Sequence, residues 1–165
     1  MAGAHLLRAR LEGVNLWLAR LEGANLWSAR MEGADLTKAR LEGADLFLAR
    51  MEGADLTKAR MEGANLWSAR MDARTSLAAA ALRGAAARDV NWAYVEISAE
   101  QVNSIFGDAS VTLPGGVTPG HADWPAHWPV WELPHGGDND FHTQWRKWQA
   151  DPAGYTPPDP PPDAE

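Results

Sequence analysis

From Ala9 to Asp72 one ten-residue phrase recurs almost without interruption: Ala-Arg-Leu/Met-Glu-Gly-Ala-Asn/Asp-Leu, then two variable positions. It is two five-residue phrases in alternation. A fixed short period marks a solenoid, in which each unit buries itself only against its neighbours. The large apolar residues recur every five positions, from Leu6, Leu11 and Leu16 to Leu66 and Met71. On an α-helix five residues turn through about 500°, so these side chains would spiral over every side and leave no core face. A glycine every ten residues, from Gly13 to Gly63, would also weaken such a helix at each recurrence. A flat strand fails because its side chains alternate with period two, and a period of five would turn every second Leu to solvent. The chain must turn a corner every five residues. Ala and Leu then point inward together, and the residues flanking Leu point outward.

The units Ala24-Asn25-Leu26, Ala34-Asp35-Leu36, Ala44-Asp45-Leu46 and Ala54-Asp55-Leu56 resemble the A(D/N)LXX pattern of the pentapeptide-repeat family. The resemblance runs without a gap over residues 4–73. The Arg at the second position of alternate pentads departs from Asp/Asn, which the family tolerates. It implies an all-β solenoid, a right-handed quadrilateral β-helix with four pentads per coil. Arg74 reads as one extra residue, a bulge, after which five degenerate pentads follow over residues 75–97. The competing reading makes the Ala-rich run Ala78–Ala87 a short helix. The repeat domain is thus expected over residues 4–98.

Beyond it, Ser98-Ala99-Glu100-Gln101 has the S-x-x-Q form of a capping box, so a short helix is expected there, with Gly107 as its stop. All eleven prolines lie at or beyond Pro114. Residues 113–134 read as an extended loop anchored by Trp124, Trp128 and Trp131. Residues 140–149 read as a second helix capped from Asp138–Asp140. Tryptophans in a free arm would lack an apolar surface, so residues 99–155 are expected to form a helical and Trp/Pro-rich cap on the solenoid. Residues 156–165, rich in Pro and Asp, read as disordered.

Charge divides along the same line. Residues 4–73 carry ten basic and ten acidic side chains, whereas residues 99–165 carry ten acidic and two basic ones. Arg10, Arg30, Arg50 and Arg70 should stack on one face, and Arg20, Arg40 and Arg60 on the opposite one, each column beside a column of Glu. These are expected to be solvated structural faces. The remaining two faces differ from each other. One presents Leu7, Trp27, Phe47 and Trp67 outward with Leu48 beside them; the other presents Trp17, Thr37 and Thr57. An outward aromatic column is more apolar than a surface usually tolerates. Either the tail or a partner covers it, or the rings only stack on one another. Trp27, Phe47, Trp67 and Leu48 are the candidate interaction face. The first coil, with Leu6, Leu11 and Leu16, is a candidate association edge, because its unpaired N–H and C=O groups can recruit another chain. A head-to-head homodimer or an upstream domain would satisfy it.

Catalysis and cofactors find little footing. The chain has no cysteine, which excludes disulfides and thiolate metal sites. His121, Asp123, His127, His135 and His142 match no metal-ligand spacing, and no nucleophile–base–orienter set or glycine-rich phosphate loop stands out. No catalytic residue, cofactor or metal is expected. No apolar run is long enough to cross a bilayer, and Met-Ala-Gly-Ala-His lacks the form of a signal peptide, so the cytoplasm is the expected setting. The reading is a non-catalytic structural or protein-interaction scaffold with a protein partner. Two alternatives remain: the resemblance admits a DNA mimic that binds a type II topoisomerase, although a neutral rod argues against that, and the chain could be the soluble module of a membrane-linked assembly. Direct nucleic-acid binding is not expected, since no basic patch escapes its acidic neighbours.

Overall fold

Each five-residue unit closes with the same tight turn, and that turn explains the sequence phrase. The Leu carbonyl accepts from the Ala N–H three residues on, as from Ala9 to Leu6 (3.0 Å) and from Ala39 to Leu36 (2.9 Å). The residue before that Ala lies in the left-handed region, as position i+2 of a type II turn requires. Every second corner is glycine, such as Gly33 (φ 66°) and Gly53 (φ 69°). The alternate corners force Lys38 (φ 58°) and Leu48 (φ 57°) into the same region at a steric cost. Asn or Asp at the second position of a unit accepts from the N–H two residues on: Asn25 from Trp27 (3.1 Å), Asp35 from Thr37 (2.9 Å) and Asn65 from Trp67 (3.1 Å). This local bond supplies an outward N–H with a partner and accounts for the Asn/Asp preference.

In the computed structural model, which describes residues 3–161, these corners stack into a parallel solenoid. Bridges join residues twenty apart at four positions per coil: His5 with Asn25, Arg10 with Arg30, Asn15 with Asp35, and Arg20 with Arg40. The inward Leu, Met and Ala side chains from Leu21 to Leu66 are fully buried. At Arg74 the offset becomes twenty-one, in Asp55–Ser76, Arg60–Ala81 and Asn65–Ala86. The extra residue is held rather than loose. Asp72 accepts from the backbone and guanidinium of Arg74, and the buried Thr75 hydroxyl donates to the Met51 carbonyl (2.9 Å). Residues 78–87 form no helix; Ala81 and Ala86 continue the ladder.

The coil also runs past residue 98, where a boundary was expected. Phe106 bridges to Ala86 and Thr112 to Asn91. Helix α1 (Ala99–Asn103) takes the side of this coil that Arg40, Arg60 and Ala81 take above it. Its capping box is complete: Ser98 accepts from the Gln101 N–H, and the Gln101 side chain accepts from Ser98. The Gln101 amide also donates to the Leu77 and Ala80 carbonyls, tying the helix to the coil above.

Gly107 does not stop that helix, which ends at Asn103. It makes room instead: a Cβ there would lie 2.7 Å from the Trp128 ring. Trp128 closes the open end of the solenoid, its indole N–H donating to the Ile105 carbonyl (2.9 Å), with Trp124 packed edge-on against it. A single 3-10 turn, Pro114–Gly116, begins the connection to this closure. Helix α2 (Phe141–Ala150), capped by Asp140, then lies along the outside of the last coils. Its Trp145 indole and the Gln149 amide both donate to the Gly84 carbonyl. Of the stretch expected to be disordered, residues 162–165 lie outside the described residues; within the rest, the Pro158 carbonyl accepts from the Trp131 indole (3.1 Å). Among the described residues no helix is long and apolar enough to cross a membrane.

Candidate functional site

The twenty-residue coil brings Trp27, Phe47 and Trp67 into one outward column. Their rings meet edge to face, with centroids 5.4 Å apart for Trp27–Phe47 and 5.5 Å for Phe47–Trp67. That geometry sets the positive ring edge against the negative face of the next ring. With the shift of one residue at Arg74, the column continues into Arg88 and then Asp108. Neither stood out in the sequence; counting twenty-one residues from Trp67 would have found the first.

The lower end of the column is closed by the tail. The Arg88 guanidinium lies over both Trp67 (4.8 Å) and Phe141 (5.3 Å), and its Nη2 donates to the Leu133 carbonyl (2.6 Å). Only 3% of its side chain is exposed. Asp108 is fully buried, 4.0 Å from Arg88, and accepts from the Leu133 and Ser110 N–H groups. Leu133 therefore gives its carbonyl to the cation and its N–H to the anion. His135 stacks on Trp67 (5.5 Å), whose indole donates to Asp89 (2.8 Å). Phe106, Phe141, Trp145 and Trp148 form a second apolar cluster beside this point.

The upper part of the same face is bare. Trp27 is 44% exposed and Leu48 43%, and Leu7 above them 52%. Phe47 is half-buried between its two neighbours. The result is an open apolar strip whose lower edge is a rigid wall built by the tail. Leu48 stands beside the ladder at a left-handed corner.

The flanking faces are self-neutralised. From Arg30 to Arg70 each Arg of the two columns pairs most closely with the Glu of the coil before it: Arg30 with Glu12 (2.8 Å), Arg40 with Glu22 (2.9 Å) and Arg60 with Glu42 (3.0 Å). The contacts within one coil are longer, as Arg30 to Glu32 at 3.8 Å. Leu6, Leu11 and Leu16 of the first coil are half-buried and pack against the core.

The histidines are dispersed. His127 lies flat on Trp148 (5.1 Å), and burial holds its imidazole below its ordinary pKa, partly offset by its bond to the Ile105 carbonyl. His121 lies 3.7 Å from Asp123, and His142 packs on Trp145. Among the described residues no three metal-ligating side chains gather.

A family model described as pentapeptide repeats matches residues 18–53 and 48–72, with eight copies. No curated protein matches the chain. Among solved structures, a pentapeptide repeat protein from Nostoc Pcc 7120 is 27% identical over 70% of this chain and 74% of that one, with a TM-score of 0.31. One from the Arabidopsis thaliana thylakoid lumen is 27% identical over 70% of this chain and 84% of that one, also at 0.31. Full-length QnrB1, a plasmid-mediated fluoroquinolone resistance protein, is 14% identical over 67% of this chain and 62% of that one, at 0.34.

Proposed function

Because the chain belongs to the pentapeptide-repeat family through the repeats of residues 18–72, we propose that it is a non-catalytic protein-interaction scaffold. The aromatic strip is its docking face, and the coil has the right-handed, four-sided form that the family resemblance implies. The observation that carries this reading is the half-covered ladder. Its Trp67 end is held under the tail by Arg88 and Asp108, while Trp27, Leu48 and Leu7 form an apolar strip open to solvent. An exposed aromatic anchor beside a rigid wall suits a protein segment with apolar side chains. The tail beyond the last coil, residues 113–155, acts as a fixed part of this surface.

The topoisomerase-binding DNA mimic is the weaker reading. Mimicry needs rows of unpaired acid in place of phosphates. Here five inter-coil Arg–Glu pairs at 2.8–3.0 Å neutralise the two charged faces.

Affinity capture from the native host with quantified recovery tests the proposal. The doubly substituted Trp27→Ser, Leu48→Ser protein should lose the partner recovered by the wild type. A variant altered on the opposite face, Thr37→Ala with Lys58→Ala, should keep it. Equal recovery by both variants would refute the assignment of the face.

A further inference from the structure

We propose that two copies of this chain join head to head through their first coils, in one register that the structure specifies. The proposal is independent of the aromatic strip as a docking face.

The first coil is a live β-edge. Along the solenoid the second residue of each unit bonds backward through both its N–H and its C=O: Arg30 donates to the Ala9 carbonyl and accepts from the Leu11 N–H. The carbonyl two residues later also points backward, as Glu32 accepts from Gly13. In the first coil these groups are the N–H and C=O of His5, Arg10 and Asn15, and the C=O of Leu7, Glu12 and Trp17. None of them has a backbone partner among the described residues. Apolar exposure concentrates at the same end. Of the inward residues, Val14 is exposed and Leu6, Leu11 and Leu16 are half-buried in this coil, whereas those from Leu21 onward are sealed.

Charge points to what covers this edge. Among the described residues, Arg10 and Arg20 have no Glu from a preceding coil. Each is left with its own coil, Arg10 at 3.8 Å from Glu12 and Arg20 at 3.3 Å from Glu22. Both would be completed by a chain that brings carboxylates to the two opposite Arg faces at the spacing of the coil. A second first coil does so if it arrives antiparallel.

A two-fold axis passing through Leu11 and Leu21 sets Arg10 of one copy opposite Glu12 of the other, and the converse. It sets Arg20 opposite Glu22 in the same way. The large inward residues meet one another, with Leu6 against Leu16 and Leu11 against itself, and the smaller inward Ala9 and Val14 meet the corners Gly13 and Arg8. The free backbone groups match in the same register: the His5 N–H faces the Trp17 carbonyl, Arg10 faces Glu12, and Asn15 faces Leu7. A two-fold pairing closes on itself, so it ends at a dimer and does not propagate into a fibre. The far end of the rod takes no part, because Trp128 and Trp124 already cover it.

The test is light scattering over a dilution series of the full chain, at low and high salt. Wild type should reach twice the chain mass at high concentration and shift toward monomer as salt rises. Arg10→Glu alone and Glu12→Arg alone should each be monomeric, with unchanged circular dichroism because both sites are outward. An equimolar mixture of the two variants should recover the dimer. In the mixed pair one contact across the axis keeps its native charges and the other has both charges reversed, so opposite signs meet at each. A wild type monomeric at every concentration would overturn the proposal and leave the edge to a preceding segment. Dimers indifferent to either charge reversal would place the contact on another surface, and a mixture that stays monomeric would refute the register.

Discussion

Replacing Arg88 with Met separates the tail from the solenoid without touching the core. Arg88 is buried, so its loss cannot be made good by water. Three contributions disappear together. The bond from Nη2 to the Leu133 carbonyl is charge-assisted, worth about 1.5–3 kcal/mol. The guanidinium over Trp67 and Phe141 adds about 1–2 kcal/mol for a desolvated cation–π contact. Asp108, fully buried, also loses the nearby cation. Met restores part of the packing, which leaves a net cost of about 3–5 kcal/mol, the range for breaking a buried pair from one side. The loss should appear at the tail first. Denaturant unfolding followed by tryptophan fluorescence should show an early transition, because Trp124, Trp128, Trp145 and Trp148 report the cap, while circular dichroism of the coils follows later. Limited proteolysis should cut within residues 113–140. Arg83→Met, at an exposed arginine of the same segment, is the control and should be silent. Adding Asp108→Asn to Arg88→Met should cost less than the sum of the single losses, since the orphaned charge is then gone. A shift under about 1 kcal/mol with unchanged proteolysis would refute the clasp.

Inward and outward residues should separate cleanly in thermal melts: Leu36→Ala should cost about 2–5 kcal/mol as a buried truncation, and Arg40→Ala should stay within about 1 kcal/mol. Gly107→Ala should destabilise by about 1–3 kcal/mol through overpacking against the Trp128 ring, read as a lower melting temperature with a shifted tryptophan emission. Asp140→Ala should remove the α2 cap at a cost of about 1 kcal/mol near neutrality. The Thr143 hydroxyl, with the N–H groups of His142 and Thr143, holds the Asp140 carboxyl below its ordinary pKa against a smaller opposing effect of burial. Its contribution is therefore present above the unfolded value of about 3.9 and is lost as pH falls through the lower folded value. Melting curves of wild type and Asp140→Ala should converge in acid and diverge above about pH 4.

The solenoid is legible because the spacing of Leu is a geometric constraint: no helix or flat strand keeps period-five side chains on one side. The placement of Trp27, Phe47 and Trp67 on one face likewise follows once a coil has twenty residues. What the spacing cannot convey is that Trp67 is half-buried under the tail and Trp27 exposed. That depends on Arg88 meeting Leu133 across 45 residues of irregular chain, and no local pattern encodes such a contact. Gly107 shows a second limit. Glycine serves both where the backbone must turn left-handed and where a neighbour needs the space of a missing Cβ. At Gly107 the neighbour is Trp128, and the sequence offers no sign of that. The boundary at residue 98 is obscured for a related reason: α1 replaces one side of a coil, so a helix signal appears before the ladder ends.

The same separation of inward and outward positions explains where function can reside on such a rod. Inward Leu, Met and Ala are confined by burial, and the second position of each unit by its turn bond or by the Arg–Glu pairing. Only the position after Leu and the alternate corners are free to vary. Between the two faces that lack Arg–Glu columns they have diverged, Trp27, Phe47 and Trp67 on one side against Trp17, Thr37 with Lys38, and Thr57 with Lys58 on the other. Folding demands no such asymmetry, because both faces close their coils with the same backbone bonds. The tail, moreover, lies on the aromatic side, where it meets Trp67 and leaves Trp27 in solvent. A cap needed only to seal the end of the coil would use Trp128 and Trp124 and have no need of helix α2 on that flank. The position of α2 therefore ties the tail to the aromatic face as well as to the end of the rod.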